Sequence, residues 1–126
     1  MPTRVLLSVK PRFAEAILEG EKTFEFRRAV FRRQDIETVV LYASSPTRRV
    51  VGEFTIDQVL SLALDALWGA TQTGGAIDRE YFDQYFQGCT TGHALKVKRA
   101  RRYRSPLCLR ANFGINHPPQ SFCYLK

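Results

Sequence analysis

The sequence predicts an α+β fold, a small mixed β-barrel with short flanking helices. Three observations carry that expectation. Residues 23–27 and 93–98 alternate apolar and polar side chains with the period of a half-buried strand. Helical spacing of apolar residues appears only in short stretches, around Phe13, Leu67 and Phe82. The elements run strand, helix, several strands, helices, then strands, which is not the strict alternation of a doubly wound parallel sheet. With 126 residues and 44% hydrophobic side chains, the chain can bury one core, and one domain over residues 1–126 is expected.

The elements follow in order. Arg4 to Val9 is a short β-rich run and the first strand. Pro11 suits the first position of a helix, where its missing N–H is not needed. Phe13, Ala14, Ile17 and Leu18 recur at helical spacing and Gly20 supplies a stop, so a helix spans Pro11 to Glu19. Thr23 to Arg27 is a strand with Phe24 and Phe26 on one face and Thr23, Glu25 and Arg27 on the other. Arg28 to Arg33 is a basic connection, and Thr38 to Ala43 is a strand buried on both faces. Ser44 to Thr47 forms a turn. Arg49 to Val59 is a strand in which Gly52 marks a bulge or a close approach. Leu60 to Ala70 and Asp78 to Phe86 read as helices joined by Thr71 to Gly75, with Asp78 as the cap of the second. The aromatic face of that second helix, with Tyr81, Phe82, Tyr85 and Phe86, is assigned mostly to packing. His93 to Lys98 is a strand, and the chain ends in the apolar Phe122 to Leu125.

Charge narrows the function. Nineteen Lys and Arg against twelve Asp and Glu leave a formal net charge of +7. An excess of that size favours a polyanionic partner, because neutralised phosphates release counterions. The basic residues also cluster, at Arg27, Arg28, Arg32 and Arg33, at Arg48 and Arg49, and from Lys96 to Arg104. Three widely spaced cysteines and two histidines show no zinc-ligand spacing. No metal and no cofactor are expected, and free thiols fit a reducing, cytoplasmic setting. The N-terminal apolar stretch is too short for a signal-peptide core or a membrane span. The sequence sets no oligomeric state and assigns no role to His93 or His117.

The segment from Gly20 to Arg27 carries the chemistry. Lys22 opens the strand, and Glu25 and Arg27 share its polar face. A solvated charged face is the commonest meaning of such a pattern. Here Phe24 and Phe26 anchor the opposite face, so the Lys–Glu–Arg set is held in place and presents directed donors. Ser8 and Lys10 precede the helix start at Pro11, where free backbone N–H groups attract anions.

The pattern Gly20-x-Lys22-x-x-Glu25-x-Arg27 resembles the GxKxxExR signature of ASCH domains, which are similar to the small PUA β-barrels of RNA-modifying proteins. The flanks agree: Ser8-Val9-Lys10-Pro11 ahead of the helix, Leu41-Tyr42-Ala43, Val51-Gly52-Glu53-Phe54, Tyr85-Phe86-Gln87-Gly88 and Pro118 to Phe122. The resemblance covers nearly the whole chain. It implies a cleft lined by Lys22, Glu25 and Arg27 and shaped by Gly20. Ser8, Lys10, Tyr42, Ser44 and Tyr124 are further candidates from neighbouring strands.

The ligand implied is RNA, single-stranded nucleic acid, or a nucleotide or modified base. In a binding module, Arg28, Arg32, Arg33, Arg48, Arg49, Arg101 and Arg102 would ring the cleft and contact phosphates. Tyr42, Trp68, Tyr103 or Tyr124 would stack a splayed base, with core packing favoured for Trp68. The alternative is a hydrolase. One ASCH branch removes acyl groups from N4-acylcytidine with a threonine at the signature's acidic position, where this chain has Glu25. For ribonuclease chemistry, Lys22 or Arg27 would stabilise the developing charge and Glu25 would act as base.

Overall fold

In a computed structural model, residues 3–125 are described; Met1, Pro2 and Lys126 lie outside them. The strands are β1 (Thr3–Val9), β2 (Phe24–Arg27), β3 (Ile36–Ala43), β4 (Arg49–Ala63), β5 (Thr91–Leu107) and β6 (Phe122–Leu125). The helices are α1 (Pro11–Leu18), α2 (Leu64–Thr71), α3 (Arg79–Tyr85) and α4 (Leu109–Phe113). The strands form one sheet in the order β2-β5-β4-β3-β1-β6. β1 and β3 run parallel, which requires the crossover that α1 and β2 supply, and the other pairs are antiparallel.

The α+β expectation holds, but the sheet does not close into a barrel. β2 and β6 end it, and among the described residues no backbone ladder joins them. The seam is bridged by a side chain instead. The Arg27 guanidinium, at the end of β2, donates to Ser8 O at 3.4 Å, to Ser121 O at 3.2 Å and to Ser121 Oγ at 2.8 Å.

Alternation builds the core. Val5, Leu7 and Val9 of β1 face a cluster with Ala14 and Ile17 of α1 and Val39, Leu41 and Phe54. Leu6 points the other way, into a cluster with Val40, Tyr42, Val50, Leu109 and Leu125. A third cluster, of Phe26, Leu67, Phe82, Phe86 and Ala94, fastens α2 and α3 to β2 and β5. β3 is buried on both faces from Val39 to Ala43, as its unbroken apolar run implies.

Local signals mostly acted as read. Pro11 opens α1, and Gly20 takes a φ of 84° just past its end. Asp78 caps α3 by accepting from the Tyr81 N–H at 2.8 Å. Gly52 lies at a register shift, and a Cβ there would stand 2.6 Å from Arg101 O and 2.7 Å from Leu18 Cδ2. Two assignments change. Leu60 to Ala63 belong to β4 rather than to a helix, because they pair with Ala94 to Thr91. Leu60, Leu62 and Leu64 alternate, and all three pack on the third cluster. The strand read over residues 93–98 runs from Thr91 to Leu107, and α4 follows it. Among the described residues, no helix is long and apolar enough to cross a membrane.

Candidate functional site

Lys22 sits between the end of α1 and the start of β2, fixed by its N–H to Ala16 O at 3.0 Å. Its side chain is 1% exposed and donates to Gly75 O at 2.5 Å. The ammonium also lies 4.8 Å from the Phe13 ring centroid and 4.9 Å from that of Phe26, a geometry that partly replaces lost water. Glu25 and Arg27 follow on one face of β2 and are buried as well. Arg27 Nη1 reaches Glu25 Oε2 at 3.3 Å. The polar face of β2 is therefore turned inward, and the solvated reading of the charge pattern fails.

Burial dominates the titration of this set. It pushes the Lys22 ammonium below the usual lysine range, with Glu25 pulling it back up and Arg12 pushing it further down. Burial pushes the Glu25 carboxyl up, against the opposing pull of Arg27 and Lys22. Arg27 Nε is buried with no hydrogen-bond partner among the described residues. Satisfied buried donors are the rule, so this one marks a place where the set is incomplete.

These three side chains form the floor of a pocket of about 110 Å³. Ser8, Val9, Lys10, Phe13, Phe26, Ile77, Tyr81 and Tyr85 complete its lining. Tyr85 donates to Phe26 O at 3.1 Å, and burial raises its phenol above the ordinary tyrosine range. The loop between α2 and α3 contributes Ile77 to that lining. It is tied to β2 by Thr23 N–H to Gly74 O at 2.8 Å and by the Lys22 contact to Gly75 O.

A second, more open basin of about 540 Å³ is lined by Ser8, Tyr42, Ser44, Ser45, Arg48 and the segment around Asn116 to Gln120. The predicted cleft residues thus divide. Lys22, Glu25, Arg27 and Lys10 line the first pocket, Tyr42 and Ser44 line the basin, and Ser8 lines both. Its hydroxyl is engaged, donating to Pro119 O at 2.7 Å. Tyr124 lines neither hollow, is 41% exposed and lies 5.6 Å from the Arg33 guanidinium.

Of the seven predicted rim arginines, only Arg48 lines either hollow. Arg33, Arg101 and Arg102 are ion-paired to Asp35, Glu53 and Glu15. Arg28, Arg32 and Arg49 are exposed. Trp68 packs on Phe82 at 5.3 Å, as expected for a core aromatic, and Tyr103 donates to Glu53 at 2.9 Å. His93 bonds Ser61 at 2.8 Å, away from both hollows. The three cysteines are free thiols. Among the described residues, no three His, Cys, Asp or Glu side chains gather as a metal site requires.

The sequence reading missed the aromatic walls. Tyr81 and Tyr85 are one helical turn apart and line the pocket, whereas Phe82 of the same helix and Phe86 at its C-cap fill the core. The signal was the pair of hydroxyl-tipped rings at i and i+4, distinct from the two phenylalanines beside them.

The ASCH domain family model matches residues 7–101, a span that holds the whole Lys22–Arg27 floor and three of the strands, β2, β3 and β4, in full. The chain belongs to the ASCH domain family. It is 28% identical over 127 residues to a protein of Zymomonas mobilis named "ASCH domain-containing ribonuclease", covering 96% of this chain and 83% of that one. It is also 30% identical over 123 residues to the large ribosomal subunit protein uL22 of Ureaplasma parvum serovar 3. That match takes in 97% of this chain but only 39% of the relative, so the chain spans well under half of that protein's length. The crystal structure of ASCH from Zymomonas mobilis superposes with a TM-score of 0.86 at 27% identity, covering 100% of this chain and 90% of that one. A serine-to-alanine variant of ZmASCH gives a TM-score of 0.90 at 24% identity, over 99% and 89% of the two chains. The relatives fix the fold, and one of them is named as a ribonuclease.

Proposed function

We propose that this ASCH domain binds RNA by taking one nucleotide ring into the pocket floored by Lys22, Glu25 and Arg27. One observation carries the reading: a buried Lys–Glu–Arg set lines a cleft together with the rings of Phe13, Phe26, Tyr81 and Tyr85. A flat ring can slot between such rings while its polar edge meets the floor, as in the recognition of splayed bases. The net charge of +7 and the relative named as a ribonuclease support an RNA ligand.

The test is binding of short oligoribonucleotides by fluorescence anisotropy. Lys22→Met keeps the apolar stem between Phe13 and Phe26 and removes the ammonium. It is expected to weaken binding by about tenfold, roughly 1.4 kcal/mol. Unchanged affinity in Lys22→Met and in Glu25→Gln, with both folded, contradicts the pocket.

The hydrolase reading has its own support. Burial moves Lys22 down and Glu25 up, the directions that favour an amine as proton acceptor and a carboxyl as proton donor. Incubation with labelled RNA and with N4-acylated cytidine tests it. Turnover lost in Lys22→Met supports hydrolysis; no turnover by the unaltered protein removes it.

A further inference from the structure

We propose that Lys10 and Arg12, gathered against Tyr81 at the mouth of the pocket, bind the phosphate of the nucleotide whose ring enters it. The site then takes phosphorylated nucleotides and discriminates against free nucleosides. The proposal rests on the pocket reading and adds the charge of its ligand.

The charges around the pocket do not balance. Among the residues that line it, Lys10, Lys22 and Arg27 are set against one carboxylate, Glu25, and Arg12 lies beside them over the lining rings of Phe13 and Tyr81. Lys10 and Arg12 make no ion pair among the described residues. Elsewhere Arg33, Arg79, Lys96, Arg101 and Arg102 each rest on an acid. At the mouth, two exposed cations instead converge on one ring. Lys10 Nζ and the Arg12 guanidinium both lie 5.3 Å from the Tyr81 centroid, and Arg12 also lies 4.7 Å from the Phe13 ring. A tyrosine face attracts a cation but does not cancel the repulsion between two of them. An anion seated between them does.

The backbone adds to the same field. Lys10 is the N-cap of α1, no side chain caps that end, and its first turn holds no acid. The positive end of the helix is therefore left uncompensated beside the two cations. A neutral ring lying on the Lys22–Arg27 floor needs none of this, whereas the phosphate attached to that ring must leave through the mouth. Tyr81 and Phe13, edge to face at 5.6 Å, then serve as both ring wall and cation platform.

Calorimetry on the intact chain decides it, with cytidine and adenosine, their 5′- and 3′-monophosphates, inorganic phosphate and a short oligoribonucleotide as probes. The phosphorylated ligands are expected to bind about tenfold or more tighter than the nucleosides, the scale of a charge-assisted contact. In a Lys10→Ala/Arg12→Ala double variant the ratio of phosphorylated-ligand to nucleoside affinity falls toward one. Arg12→Lys restores part of it. A gain for mononucleotides assigns the site to free nucleotides as well as RNA; a gain for the oligonucleotide alone assigns it to a phosphate of an RNA chain. Equal affinity for nucleoside and monophosphate, an advantage that survives the double variant, or tight binding of inorganic phosphate with no added gain from the ring overturns the proposal. In the first two cases a loss of binding in Lys22→Met leaves the pocket reading standing. If no probe binds the unaltered protein, both fall.

Discussion

Lys22 is a cation held where water does not reach, and its neighbours decide its charge. Glu25 is the group that favours its protonation, while burial and Arg12 oppose it. Replacing Glu25 with Gln removes that support and leaves Lys22 and Arg27 as buried cations without a counter-charge. Breaking a buried pair from one side costs about 3–5 kcal/mol. The variant is expected to unfold at lower denaturant, with Lys22 titrating lower than in the unaltered protein. Carbon-13 NMR of the Lys22 Cε follows that titration, and an unmoved midpoint contradicts the coupling. The lowered value also fixes a sign for stability. Between the folded-state value and the unfolded one near about 10.4, the native state binds fewer protons than the unfolded state. Stability contributed by this group therefore rises with pH across that window. Urea denaturation at stepped alkaline pH is expected to show the rise in the unaltered protein and its absence in Lys22→Met.

At the scale of elements, the pocket depends on a loop fitted against a strand with no room to spare. A Cβ on Gly75 would stand 2.9 Å from two carbons of the Phe26 ring, and one on Gly74 would strike Thr23 Oγ1. Gly75→Ala pushes the loop off β2, where Gly75 O holds Lys22 and Ile77 lines the wall. The expected cost is about 1–3 kcal/mol, the range for overpacking, with a parallel loss of RNA affinity; an unchanged melting temperature contradicts it. Such contacts join residues 23–26 to residues 74–75 and leave no mark in either local pattern. What the sequence displays is what repeats locally: the alternation of β1 and β2, the proline that opens α1, the cap at Asp78. Leu60 to Ala63 fit both periods within so short a run, and pairing with β5 decided them. The outer half of β5 was hidden for a different reason. Arg99, Arg101, Arg102 and Arg104 on it are exposed and do not alternate with apolar residues, so no apolar period reports the strand. Lys98, Arg99 and Arg104 on it make no ion pair among the described residues, whereas Arg101 and Arg102 do. If β5 meets RNA, Arg99→Ala lowers the slope of log affinity against log salt by about 1, and Arg102→Ala changes it less. Equal slopes in both variants and the parent remove β5 from the interface.

On the scale of the whole molecule, Gly20 to Arg27 does two jobs that the sequence reading joined into one. Lys22 and Glu25 floor the pocket, while Arg27 both completes that floor and spans the gap that an open sheet leaves. The barrel expected from the order of elements was close in shape but not in bonding. β2 and β6 are each four residues long and face no ladder across the seam, so side-chain donors to Ser8 O and Ser121 do what a further strand pair would do. This arrangement ties the pocket to the C-terminal segment, because Ser121 leads directly into β6. Arg27→Met keeps much of the side chain's length and removes all of its donors. The fold is expected to survive with reduced stability, since β1, β3, β4 and β5 keep their ladders with one another. The seam is expected to open locally. Amide hydrogen exchange from Phe122 to Leu125 then quickens by more than that of β3, which is buried at the centre of the sheet. Arg27→Lys keeps the charge beside Glu25 but cannot span the seam with a planar fork, so its exchange resembles that of Arg27→Met more than the parent's. Uniform acceleration across β3 and β6 would instead mean global destabilisation. Unchanged exchange at β6 would mean that its ladder to β1 closes the edge without Arg27.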